Sequence, residues 1–330
     1  MKKTSKIPAA ITGTLIMALM TFGAILWSNR GTGIPDTLNC MFDIKAFDNS
    51  TTGLVTGYNY SLLKDYTDSR GIGLNTIICK GEESTLDSLI AKRVDIVIRP
   101  FEDSLIDEVP VISCYVDTLT RWVSIKNNKR LIEDMQAWVD EQTSSESHPE
   151  IKEKFFTRLD PFKRRPGQSF ISPYDDMLKA SADSIGWDWR MLAAVAWQES
   201  HFRMDVESHR GAKGVMQITP DAASSLGIEN VVDPASGIDA GAKYLSRLYK
   251  LYESIPDEQE RIKFTLASYN AGEGRIRDCR EYAKSKELEG NTWDEIVSLI
   301  PEIEDFKGKE TIAYVDSVLA VHREFCRICR

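Results

Sequence analysis

The sequence predicts an α+β chain of more than one domain, with an α/β lobe over residues 40–141 followed by an all-α domain over residues 173–330. Three observations predict it. Apolar runs of strand length alternate with amphipathic stretches up to about residue 141, strand signals nearly vanish beyond residue 173, and a polar, proline-bearing segment lies between. A length of 330 residues leaves room for two domains that each bury a core. Fifty Asp and Glu against 41 Lys and Arg give a formal charge of -9, and no basic block interrupts the chain. That balance excludes a nucleic-acid partner, whose phosphates demand neutralisation.

The elements follow in order. Lys2, Lys3 and Lys6 precede residues 7–27, a run without charge that as a helix is long enough to cross about 30 Å of hydrocarbon. Residues 1–30 therefore read as a signal peptide or an N-terminal membrane anchor. In "ILWSNRGTG", Trp27 and Asn29 stand where cleavage wants small residues, which favours an uncleaved anchor. The lysines before the run and the single Arg30 after it place the N-terminus in the cytoplasm and the remainder outside. Thr37 and Asn39 fit a lipidation site at Cys40 badly.

"NCMFDI" reads as a strand, "YNYSLLKDYTDS" as a helix, "LNTIICK" as a strand, "STLDSLIAKR" as a helix and "VDIVI" as a buried strand. This order calls for crossover units and a parallel sheet. "VPVISCYV" and "TRWVSI" add strands, and "NKRLIEDMQAWVDE" adds a helix. Residues 142–172, with "QTSSESHPEIKE" and "DPFKRRPGQSFISP", read as a linker holding a short helix near residues 152–157. Eight helical stretches fill the rest, from "YDDMLKASADSI" to "KETIAYVDSVLAVHREF". Asp188 is expected to cap the second, Pro220 and Asp221 to open the third, and Asp233 with Pro234 to start the fourth.

Six cysteines in an exported chain permit disulfides, with fifteen full pairings. Cys326 and Cys329 form a C-x-x-C without thioredoxin-like context, so a structural bond, with Cys279 as one partner, is expected over redox catalysis. His148, His201, His209 and His322 show no metal-ligand spacing, so no metal site is expected.

The chemistry centres on "LAAVAWQESHFR". As a helix it places Leu192, Val195, Ala196 and Glu199 on one stripe, so an acid stands where the face should be apolar. Desolvation and the negative end of the helix dipole both raise the pKa of such a group, as a general acid requires. Equally open is a Glu199 that points to solvent where the helix ends. "SHRGAKGVMQITP" then reads as a tight, backbone-rich turn entering a helix, with Met216 open to core packing or ligand contact. "ASYNAGEGR" brings Tyr269 and Asn270 to a helix end, a flat apolar ring and an amide suited to a sugar and its acetamido group. Asp205 and Glu207 read as solvated loop charges.

Four ordered stretches, Glu199-Ser200, "GAKGVMQITP", "ASYNAG" and "ETIAYV", resemble the motifs of the soluble-lytic-transglycosylase, goose-lysozyme-like domain. The first half, from "GLVTGYNYSLLKDYTDSRGIGLN" through "LDSLIAKRVDIVI", resembles part of a family-3 solute-binding domain, a periplasmic-binding-protein-like fold. Together behind an export segment they are similar to the membrane-bound lytic transglycosylase F type. The resemblance implies a peptidoglycan lytic transglycosylase without cofactor, in which Glu199 is the catalytic acid/base. Ser208, Gln217, Tyr269, Asn270 and Tyr314 match positions that bind substrate. It implies peptidoglycan strands as substrate and a periplasmic, membrane-associated location, by the N-terminal anchor or at the outer membrane after signal cleavage. A hydrolytic muramidase on the same scaffold, and a non-catalytic glycan-binding or assembly protein, are the alternatives. The first half is only about one lobe long, and Glu102, Asp103 and Ser104 occupy the place of the arginine that commonly grips an amino-acid carboxylate, with Arg99 nearby but out of line. These departures point to a spacer or a docking role toward cell-wall assembly proteins.

Overall fold

The structure is a computed structural model, and it describes residues 33–47, 52–79, 84–101, 103, 106, 109–145, 148, 155, 162, 170–303, 306 and 308–329. The expected N-terminal anchor and most of the expected linker, including its short helix, lie outside the described residues. Among the described residues no helix is long and apolar enough to cross a membrane. The chain divides into two compact units, Met1–Glu153 and Lys154–Arg330.

The first unit holds β1 (Thr37–Asp43), α1 (Thr52–Arg70), β2 (Gly73–Cys79), α2 (Thr85–Ile90), β3 (Ile96–Pro100), β4 (Val111–Tyr115), β5 (Thr120–Ile125) and α3 (Lys129–Thr143). The sheet order is β2-β1-β3-β5-β4. β1 pairs parallel with β2 and β3, as the strand-helix alternation requires. β5, whose direction the strand signals leave open, runs antiparallel to both β3 and β4. The cause is the short connection after β4: Asp117 Oδ1 accepts from the Leu119 and Thr120 amides at 2.7 and 2.9 Å, closing a turn too tight for a crossover.

Alternation along the strands divides the sheet's residues between two faces. Met41, Val97 and Val123 stand side by side in register and pack with Leu86 and Leu89 of α2. On the other face Trp122 is fully buried and donates its indole N–H to Asn59 Oδ1 of α1 at 2.7 Å. There α1 and α3 are joined by Tyr66 and Arg70, which both donate to Asp134.

Arg99, 6% exposed, is held by the carboxylates of Asp43 and Asp103 and donates to Thr85 Oγ1 at 3.1 Å. Its charge is thus spent inside the lobe.

The second unit is helical: α4 (Asp175–Ile185), α5 (Trp189–Ser200), α6 (Pro220–Leu226), α7 (Pro234–Lys250), α8 (Glu258–Ala271), α9 (Glu273–Ser285), α10 (Trp293–Leu299) and α11 (Gly308–Ile328). α5 is the central element, packed against α4 and α11. Every residue from Met191 to Ala196 is buried, so α5 is apolar all round at its middle and the single stripe expected from its spacing is only part of a core helix. Asp188 caps α5 through the Arg190 amide, and Asp233 caps α7 through that of Ser236. α6 opens at Pro220 with Asp221 in its first turn, as expected, and Thr219 is its N-cap.

No disulfide joins the described cysteines, which corrects the expected bond to Cys279. Cys279 is buried on α9, while Cys326 lies 3.2 Å from His322 Nε2 on its own helix.

Candidate functional site

Glu199 lies in the last turn of α5, and its partner is Tyr314 of α11, whose hydroxyl donates to Oε1 at 2.6 Å. Desolvation raises the Glu199 carboxyl to about 7, against the hydrogen bond from Tyr314, which favours the charged form. The solvent-directed alternative is therefore not what the fold adopts. Beyond the helix the backbone turns through two successive left-handed residues that are not glycine, His201 at φ 53° and Phe202 at φ 62°. Such conformations persist only where the surroundings dictate them. Here Trp197 packs against both rings, at 4.4 and 5.5 Å, and Phe202 stacks on Phe325 of α11.

The glycine-bearing segment forms a small ribbon, with Lys213 bridged to Glu207 on one side and Ile218 on the other. Gly214 has φ 77°, and a Cβ there would lie 2.4 Å from the Val231 carbonyl oxygen, so only glycine fits. Gln217, at φ 48°, donates its amide to the carbonyls of Val206 and Gly214, at 2.9 and 3.0 Å. Ser200 Oγ donates to the Val215 carbonyl at 2.7 Å and ties the end of the acid's helix to this ribbon. Met216 is fully buried against Gly241, where a Cβ would stand 2.6 Å from its methyl, so Met216 is core.

Tyr269, at the end of α8, donates its hydroxyl to the Met216 carbonyl at 2.7 Å. Burial first, and then the charge of Glu199, push its phenol pKa well up, so the phenol lies within electrostatic reach of the acid. Asn270 accepts from Thr311 Oγ1 of α11 at 2.9 Å, leaving its amide N–H donors unused by that bond. Gln217, Tyr269 and Asn270 line a cavity of about 410 Å³, of a size that holds a small ligand. Glu199, Tyr314 and Ser208 are not among its lining residues; Ser208 is exposed and accepts from the Ala212 amide at 3.1 Å. The site thus has two linked parts, an acid with its tyrosine and an adjoining cavity, joined through Tyr269.

Among the side chains of that cavity that sequence reasoning missed are Arg210, Tyr244, Arg247 and Glu273. Arg247 lies over the Tyr244 ring, 4.9 Å from its centroid, and pairs with Glu273 at 2.8 Å. Tyr244 and Arg247 stand one turn apart on α7, a spacing that was available to read but is indistinguishable from an ordinary helix surface. Thr311 and Ser200 act through Asn270 and the ribbon, and their signal lay only in their places inside the motifs. Asp205 departs from its expected role as a solvated charge: it is 6% exposed and held by Arg203 through two hydrogen bonds.

Residues 176–291 match the transglycosylase SLT domain family. Similar curated proteins include the membrane-bound lytic murein transglycosylase F of Desulfosudis oleivorans, 29% identical over 219 residues, covering 61% of this chain and 48% of that protein. The protein of the same description from Shewanella pealeana is 34% identical over 209 residues, covering 58% and 43%. The matches thus span less than half the length of those relatives. Among solved structures, the 70 kDa soluble lytic transglycosylase of Escherichia coli shares 22% identity at a TM-score of 0.39, covering 61% of this chain and 33% of that one. Residues 176–291 of the helical unit thus match the transglycosylase SLT domain family, in a chain similar to the membrane-bound lytic murein transglycosylase F proteins.

Proposed function

We propose that this chain is a peptidoglycan lytic transglycosylase that cleaves the β-1,4 bond between N-acetylmuramic acid and N-acetylglucosamine. The observation that carries the reading is Glu199, held near half-protonation at neutral pH by its desolvated seat and bonded to Tyr314. Its carboxyl proton passes to the glycosidic oxygen as the C1–O bond breaks, and the N-acetylglucosamine leaves with a free 4-hydroxyl. The resulting carboxylate then takes the proton of the muramoyl C6 hydroxyl while O6 bonds to C1. A 1,6-anhydro end forms, Glu199 regains its proton, and no water is consumed.

Tyr314 orients the carboxyl, Tyr269 offers a ring to the sugar, and Asn270 and Gln217 supply polar contacts at the cavity. Ser208 contributes from the rim of the ribbon. Residues 173–330 are the catalytic domain, residues 142–172 the linker, residues 40–141 a truncated solute-binding-like lobe of periplasmic-binding-protein type, and residues 1–30 the signal or anchor. Arg99, spent on Asp43 and Asp103, supports a spacer or docking role toward cell-wall assembly proteins over amino-acid capture. The names of the relatives support a membrane-associated location facing the cell wall.

The test is digestion of purified peptidoglycan by the full chain with mass spectrometry of the products. Anhydro ends are expected from the native chain and none from Glu199→Gln. Reducing ends in their place would make the chain a muramidase, and undiminished solubilisation by Glu199→Gln would overturn the role of the acid.

A further inference from the structure

We propose that Asp188, His322 and Cys326 form a binding site for a zinc-class divalent metal ion that joins the start of α5 to the end of α11. Asp188 Oδ2 lies 3.4 Å from His322 Nε2, His322 Nε2 lies 3.2 Å from Cys326 Sγ, and Cys326 Sγ lies 3.9 Å from Asp188 Oδ2. Ligands at about 2.0–2.3 Å on the corners of a tetrahedron stand about 3.3–3.8 Å apart. The three separations lie within about 0.1 Å of that range, so small side-chain adjustments place the atoms on three corners around a common point, with the fourth corner left to water. Carboxylate, imidazole and thiolate are the donor set of a borderline-soft ion, unlike the all-oxygen sets of magnesium and calcium.

Nε2 serves one hydrogen bond, to Asp188, and Cys326 Sγ can donate to the same Oδ2, so the cluster has a hydrogen-bonded resting state that a cation at its centre would replace. His322 and Cys326 are one turn apart on α11, which presents both from one helix face. Arg190 holds both carboxylate oxygens, including the Oδ2 offered to the ion. Its Nε donates to Oδ1 at 2.9 Å, its Nη2 to Oδ2 at 2.8 Å, and its Nη1 to the Cys329 carbonyl at 2.9 Å. Ligating carboxylates are held in this way by outer partners. On binding, the Cys326 thiol releases its proton to solvent and the sulfur takes the metal.

The position gives the ion a structural purpose. Asp188 is the N-cap of the helix that ends in Glu199, and His322 and Cys326 lie on the helix that carries Tyr314. A bound ion clamps those two helices together at the ends away from the acid.

The experiment uses the full chain, reduced, stripped with chelator and titrated with zinc chloride against a chromophoric competitor, and in parallel with cobalt chloride. One equivalent is expected to bind, with a thiolate-to-cobalt charge-transfer band in the near ultraviolet and a thermal midpoint that rises with zinc. Cys326→Ser and His322→Gln are expected to weaken zinc binding by about 100-fold or more, beyond the 10–100-fold loss typical of an outer partner. His209→Gln, at an exposed position away from the cluster, is expected to bind as the native chain does. A cobalt complex without the thiolate band overturns the proposal whether or not the variants fold. So does zinc binding that survives Cys326→Ser, or a chain whose Cys326 and Cys329 are joined in a disulfide when purified without reductant from the exporting cell.

Discussion

Replacing Glu199 by glutamine should make the chain more stable while abolishing its proposed reaction, and the gain should appear only as pH rises. The ordinary carboxyl value is 4.5, and the folded chain raises it to about 7. Below about pH 4.5 the group is protonated folded and unfolded, and it contributes no difference. Between the two values the unfolded chain has released a proton that the folded chain still holds, so stability falls as pH rises, by at most about 1.4 kcal/mol per unit. Above about pH 7 the full penalty is present, about 3 kcal/mol as an upper bound from 1.36 kcal/mol per unit. Glutamine keeps the shape and has no proton to lose. Denaturant unfolding of both chains at pH 4, 6 and 8, followed by a probe of the helical unit, measures the difference. The glutamine variant should match the native chain at pH 4 and exceed it by 2–3 kcal/mol, to order of magnitude, at pH 8. A stability difference independent of pH would refute the claim that the fold, and not the substrate, holds the proton on Glu199.

Tyr314→Phe removes the donor that favours the charged carboxylate, so the carboxyl should rise further, and the basic limb of the pH–rate profile should move to higher pH. A fall in rate of about 10- to 100-fold, or about 1.4–2.7 kcal/mol, should accompany it, and a profile that keeps its basic limb would separate Tyr314 from the acid. Gly214→Ala meets both a left-handed φ and the Val231 carbonyl, and should cost more than about 2 kcal/mol in denaturant unfolding of the helical unit. Arg99→Met leaves Asp43 and Asp103 buried without their cation and should destabilise the first unit by about 3–5 kcal/mol, read by the same method.

Helices were legible from their apolar spacing, and several also from a cap. Asp188 and Asp233 announce α5 and α7 by residue type alone, and the structure places each side chain on the amide expected of an N-cap. The parallel pairing of β1 with β2 and β3 was legible from the strand-helix alternation, but the place of β5 was not. Nothing local in "TRWVSI" tells β5 to lie between β3 and β4, because that order depends on which edge the short Asp117 turn leaves open. The site shows the same division. Glu199 could be singled out because a carboxyl on an apolar face is costly and asks for a reason. Its partner Tyr314 lies 115 residues away, and no spacing rule connects the two; only the motif resemblance brought it forward. Tyr244 and Arg247 stayed hidden because their pattern is that of any solvated helix face. The cysteines misled because export and even number argue for bonds, whereas bonding requires an approach of the two sulfurs that sequence does not encode.

Glu199 is the carboxyl bonded to Tyr314, while Glu273 of the adjoining cavity is paired with Arg247, and a single working acid is a chemical problem for a hydrolase and not for a transglycosylase. Most glycosidases place a second carboxylate within about 5–9.5 Å of the first, as nucleophile or as base for water. The two acids nearest in sequence are already committed. Asp205 is buried in its pair with Arg203, and Glu207 stands opposite Lys213 in the ribbon, 3.7 Å from its ammonium. Freeing either would break an ion pair to supply a group that the substrate's own hydroxyl makes unnecessary. One residue must then give a proton in the first half of the reaction and take one in the second. Such a group works best where both forms are well populated at the working pH, because a stronger acid would be a poor base and a weaker acid a poor donor. A value of about 7 for Glu199 meets that condition. The balance that sets it, a raising by desolvation moderated by one hydrogen bond from Tyr314, is therefore as much a part of the proposed chemistry as the carboxyl itself.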